Sequence, residues 1–163
     1  MRLSLFSKTV DSNRKYITFP FKPLLPFLIL LPIHAAGVEI KPFTTDGCSV
    51  FPDGTLNDNS KWLECCIRHD LAYWKGGTFD ERKKADDELE QCVADMGEEK
   101  ISLLMHTGVR FGGSPYFPTW YRWGYGWPMF RGYQTLTEEE NQQAQKQLEV
   151  FYRLIGQLVE ENR

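Results

Sequence analysis

Apolar residues recur at helical spacing in the second half of the chain. Phe79, Ala85, Leu89, Cys92, Val93 and Met96 follow a Thr78/Glu81 capping box and predict a second core helix. Ile101, Leu104 and Met105 continue a helical stripe to Gly108, and Gly97 between the two either kinks one helix or separates two. Near the C-terminus, Thr137 and Glu140 form another capping box. Leu148, Phe151, Leu154, Ile155 and Leu158 then share one stripe, which predicts an amphipathic helix. A first core helix is bounded by its stops: Asn59 or Ser60 as N-cap, and Gly76-Gly77 just past a final Lys75 that follows Trp74.

Between these stretches the pattern lapses. Lys41 to Asn59 is rich in turn residues (Asp46-Gly47, Pro52-Asp53-Gly54, Asn57-Asp58-Asn59) and reads as a loop. Residues 111–134 crowd Tyr116, Phe117, Trp120, Tyr121, Trp123, Tyr125, Trp127 and Phe130 among glycines and prolines, so no regular element fits. That segment either covers a small core or presents its rings to a lipid interface. Its neighbours Arg110, Arg122 and Arg131 either meet lipid phosphates or stack on the rings. The C-terminal helix is expected to pack on the core or to pair with a second copy.

The N-terminal stretch has a basic head (Arg2, Lys8, Arg14, Lys15, Lys22), an apolar run from Pro23 to Ile33 and small residues at Ala35 to Gly37. The run is too short for a bilayer span of roughly 20 residues, which predicts an export signal over 1–36, with an uncleaved anchor as the alternative. The expected organisation is then a core over 37–110, the aromatic segment over 111–134 and the C-terminal helix over 135–163. At 163 residues the chain suits one domain with appendages.

Five of the 19 Lys and Arg residues and one of the 22 acidic residues fall within 1–36. The remainder holds 14 basic against 21 acidic residues, a net charge of −7 with histidine neutral. Such a balance lacks the basic stripe of a nucleic-acid binder. Four cysteines, Cys48, Cys65, Cys66 and Cys92, predict two disulfides in an exported chain, and the adjacency of Cys65 and Cys66 argues against a zinc site.

On the first helix a four-residue step places Cys65, His69 and Tyr73 on one face, and Cys66 and Asp70 on a second, about 100° round. On the second helix Asp86 falls beside the apolar stripe, whereas Asp87 shares the polar side with Glu90. Antiparallel packing of the two helices, which their short link favours, brings His69 and Tyr73 to Asp86 and selects Cys65–Cys92, leaving Cys66 for Cys48. The fold class expected is mainly α: two antiparallel disulfide-linked core helices, an upstream loop segment and a C-terminal amphipathic helix.

The run Cys-Cys-Ile-Arg-His-Asp-Leu-Ala-Tyr from Cys65 to Tyr73, with Asp86 six residues before Cys92, resembles the active-site signature of the secreted phospholipase A2 family. The resemblance covers about residues 44 to 95. Two departures stand out. Ala72 and Ala85 replace a pair of cysteines that the family usually bonds together, so both halves of one bridge are gone. The stretch from Thr45 to Gly54 keeps only Gly47 and Cys48 of the family's calcium loop.

The resemblance implies a calcium-dependent hydrolase of phospholipid acyl esters, acting on membrane surfaces or micelles after export to the medium, periplasm or envelope. His69 would activate water, with Asp86 orienting its imidazole and Tyr73 stiffening the pair. Asp70 and main-chain carbonyls at Gly47, Ser49 and Phe51 would hold Ca2+. A phospholipase-like binding module without turnover is the alternative, and an envelope-structural protein a third reading. Homo-oligomers through the C-terminal helix fit either of the first two. His106 is expected at a helix end rather than as a ligand.

Overall fold

The chain divides into two units, residues 1–35 and 36–163, and the computed structural model describes residues 38–161, within the second. The expected signal over 1–36 lies outside the described residues. These hold four helices and no strand: α1 (Leu63–Lys75), α2 (Phe79–Ala94), α3 (Glu99–Gly112) and α4 (Glu138–Glu161). None is long and apolar enough to cross a membrane.

Local chemistry explains most boundaries. Thr78 and Glu81 form the reciprocal cap at the start of α2, and Thr137 and Glu140 exchange the same two bonds before α4. Gly97, at φ +82°, lies in the connection that separates α2 from α3, so the apolar stripe belongs to two helices, and α3 runs on past residue 110 to Gly112. The start of α1 departs from expectation. Asn59 and Ser60 lie in a turn, and the helix begins at Leu63 without a side-chain cap. The physical reason is competition: Asp58 Oδ1 takes the Ser60 N–H, while the Trp62 N–H is drawn off to the Asp53 carbonyl. At the other end α1 stops at Lys75, as expected, with Gly76 as its cap.

Two bridges tie the core: Cys48–Cys66 fastens the upstream loop to α1, and Cys65–Cys92 joins α1 to α2. Around them pack Trp62, Leu89, Val93 and Met105. With its cysteines 27 positions apart in sequence, the Cys65–Cys92 bridge is worth about 3 to 4 kcal/mol in the chain-entropy account. A Cys65→Ala/Cys92→Ala variant should lose about that much in a urea titration, and an unchanged midpoint would show that the bridge does not carry the core.

The aromatic segment divides its rings between two tasks. Trp123 and Trp127 are buried with Trp74, and their indole N–H groups donate to the Gly77 and Lys75 carbonyls at 2.9 and 2.7 Å, capping the end of α1. Arg122 is buried and donates to the carbonyls of Trp123, Gly124 and Trp127, which holds the turn closed. Arg131 stacks on Trp127 and pairs with Glu140. Tyr116, Trp120 and Phe130 stay exposed. The α4 helix enters this second core through Ala144, Leu148 and Phe151, beside Ile40 and Phe43, whereas Leu154 and Ile155 are exposed.

Candidate active site

One carboxylate organises the site. Asp86, on α2, is fully buried, and each of its oxygens is engaged. Oδ1 lies 3.0 Å from His69 Nε2 and accepts the Tyr73 hydroxyl at 2.6 Å; Oδ2 accepts the Arg110 guanidinium at 2.9 Å and lies 3.7 Å from Arg82 Nε. Burial pushes the Asp86 carboxyl up, but hydrogen bonds from His69, Tyr73 and Arg110 outweigh it and hold the group below the ordinary carboxylate range. An ionised Asp86 fixes the imidazole tautomer: Nε2 carries the proton toward the carboxylate, and Nδ1 keeps its lone pair.

The two arginines have different anchors. Arg82 is buried and spends its donors on the Tyr73 hydroxyl, the Tyr133 hydroxyl and the carbonyls of Val109 and Arg110. It thereby fixes the last turn of α3, from which Arg110 reaches Asp86. Gly113 at the end of that helix is a necessity of packing, since a Cβ there would stand 2.4 Å from the Tyr73 hydroxyl. Asp86→Asn should therefore cost about 3 kcal/mol of stability, because it leaves two guanidinium groups without their counter-charge. Denaturant titration checks this, and a loss under 1 kcal/mol would mean that the arginines find other partners.

Beside the dyad, Asp70 is buried and accepts the Thr45 hydroxyl at 2.7 Å. Burial raises its carboxyl to about 7; the Thr45 hydrogen bond opposes this, and the nearby Asp46 and Asp53 carboxylates add to it. No ion pair to Lys, Arg or His reaches Asp70 among the described residues. The loop from Asp46 to Gly54 is pinned over it. Asp53 Oδ1 accepts the Cys48 N–H at 2.7 Å, Trp62 Nε1 donates to the Pro52 carbonyl, and Gly47, at φ +78°, has Asp53 Oδ1 where a Cβ would go. Val50, 80% exposed, adopts φ +62°, an unfavourable conformation for a β-branched residue.

These parts share a cavity of about 360 Å³. His69, Asp70 and Tyr73 line it with the loop residues Gly47 to Phe51, and Leu104, Met105, Gly108 and Val109 of α3 supply an apolar wall. The fold thus brings His69, Asp86 and Tyr73 into one network, and Asp70 lines the same cavity as Gly47, Ser49 and Phe51. His106 pairs with Asp87 and Glu90 on the surface, away from that network.

Calcium fits the donor set in part. No three His, Cys, Asp or Glu side chains converge on a metal site among the described residues, so a cation at Asp70 would draw on main-chain oxygens. Neither the Ser49 nor the Phe51 carbonyl accepts a hydrogen bond among the described residues, whereas the Gly47 carbonyl accepts the Ser49 N–H at 3.2 Å. A buried carboxylate crowded by two others and lacking a basic partner is what a cation would relieve.

Sequence reasoning missed Arg82 and Arg110, which complete the Asp86 network, and Thr45, Asp46 and Asp53, which surround Asp70. A Thr-Asp pair just before a matched Gly-Cys was the available signal for two of them. No protein-family model, curated protein or solved structure matches this chain.

Proposed function

We propose that this chain is an exported, calcium-dependent hydrolase of the phospholipase A2 type, cleaving the acyl ester of a phospholipid. The observation that carries the reading is that His69, backed by the buried Asp86, and Asp70, buried without an ion pair among the described residues, line one largely apolar cavity. His69 Nδ1 would take a proton from the attacking water, with Asp86 stabilising the imidazolium and Tyr73 and Arg110 holding Asp86 in place. The same proton then passes from Nδ1 to the leaving alkoxide oxygen. Bound at Asp70 with carbonyls of the 47–51 loop, Ca2+ would polarise the ester carbonyl and stabilise the oxyanion.

The α3 wall suits an acyl chain, which only apolar contact can hold. Val50 and Leu104 both line the cavity and stand exposed, so they would meet a lipid surface at its mouth. Two disulfides accord with an oxidising compartment outside the cytoplasm.

One observation favours the alternative of a lipid-binding module without turnover: the Gly47 carbonyl, one of the three expected calcium ligands, is engaged by Ser49. Mixed phospholipid vesicles incubated with the oxidised protein separate the two. The hydrolase reading expects fatty-acid release in calcium that stops in chelator. Vesicle binding without release in either condition would favour the module.

A further inference from the structure

A second cavity, of about 180 Å³, adjoins the first and shares Ser49, Asp70 and Tyr121 with it. Its character is different. Three rings, Trp120, Tyr121 and Tyr125, face it together with the Asp46 carboxylate, and no Lys, Arg or His lines it among the described residues. The rings are held in place. Trp120 Nε1 donates to Asp46 Oδ2 at 3.3 Å, Trp120 and Tyr121 pack edge to face with centroids 5.2 Å apart, and the Tyr125 hydroxyl donates to the Thr44 carbonyl at 2.6 Å.

We propose that this cavity is a subsite for the cationic head group of a zwitterionic phospholipid, whose ammonium would lie among Trp120, Tyr121 and Tyr125 beside Asp46. Aromatic faces attract a quaternary or primary ammonium through the ring quadrupole, and a carboxylate at the rim adds to that attraction. An acidic head group would meet the Asp46 carboxylate there and no Lys, Arg or His side chain among the described residues. The inference rests on reading the main cavity as an acyl-ester site. With the ester at His69 and the acyl chain along α3, the head group of the same molecule leaves past Ser49, Asp70 and Tyr121, the residues common to both cavities.

The test uses soluble, acyl-free analogues that cannot be hydrolysed at an acyl ester. Glycerophosphocholine and glycerophosphoglycerol carry the same phosphate and differ in the ammonium, and both can be titrated into the oxidised protein by ligand-observed NMR. Wild type is expected to bind the choline analogue roughly five- to tenfold more tightly. Trp120→Ala should lose most of that preference, and Trp120→Phe, which keeps a ring, should retain most of it. Equal binding of the two analogues by wild type would overturn the proposal, as would a preference unchanged in Trp120→Ala. Turnover of vesicles measured alongside keeps the readings apart: release of fatty acid without head-group preference overturns the subsite alone. Preference without release upholds the subsite and counts against hydrolysis.

Discussion

His69→Gln is expected to lower the rate of fatty-acid release by about 10³-fold, within the range set by loss of a general base. Glutamine is close to histidine in size and its amide can still donate to Asp86 Oδ1, so the buried network of Tyr73, Arg82 and Arg110 should remain closed. The variant should therefore keep the wild-type circular dichroism and melting temperature. That separation matters, because Asp86 substitutions disturb both the imidazole and two guanidinium groups and cannot isolate the base. Turnover within tenfold of wild type in His69→Gln would remove His69 from the reaction.

Asp70→Asn should abolish calcium binding and turnover together. The amide keeps a carbonyl oxygen but not the charge, and the main-chain oxygens of the 47–51 loop are neutral donors. Stability should move the other way in chelator. Burial and the nearby carboxylates raise the wild-type Asp70 carboxyl to about 7, against an ordinary value of 3.8. A carboxyl raised on folding contributes a cost that is absent below about pH 4, grows from there to about 7, and is complete above it. In chelator at pH 8, Asp70→Asn should thus melt several degrees above wild type, and the gain should vanish by pH 4. In saturating calcium only wild type should be stabilised by the ion. Calorimetry showing equal calcium affinity in the two proteins would take Asp70 out of the site.

Much of this arrangement was legible because helices convert spacing into faces. The four-residue step from Cys65 to His69 to Tyr73, and the six residues from Asp86 to Cys92, sufficed to bring the bridge and the dyad to one seam once two helices were assumed to pack. Thr78 with Glu81 marked the start of α2 because both partners of that cap are local.

What escaped was non-local or competitive. Arg110 lies 24 residues from the carboxylate it holds, and its sequence context, among rings and glycines, suggested lipid phosphates or stacking instead; it also sits over the Phe79 ring. The first turn of α1 was misplaced because Asp58 and Asp53 take N–H groups that a helix start would otherwise use. In the aromatic segment, composition could not say which rings turn inward. Trp123 and Trp127 go in because carbonyls at the end of α1 await their indole N–H groups, a matter of tertiary placement rather than pattern. The crowding around Asp70 was hidden for the same reason: Asp46 and Asp53 reach it through a loop that has no period to read.

The most direct test of the central claim is mass analysis of products formed from phospholipid vesicles in ¹⁸O-labelled water with calcium. Attack of water on the acyl carbonyl, with His69 as base, predicts one solvent oxygen in the released fatty acid and none in the lysophospholipid. Label in the lysophospholipid, or no fatty acid above the His69→Gln control, would contradict it.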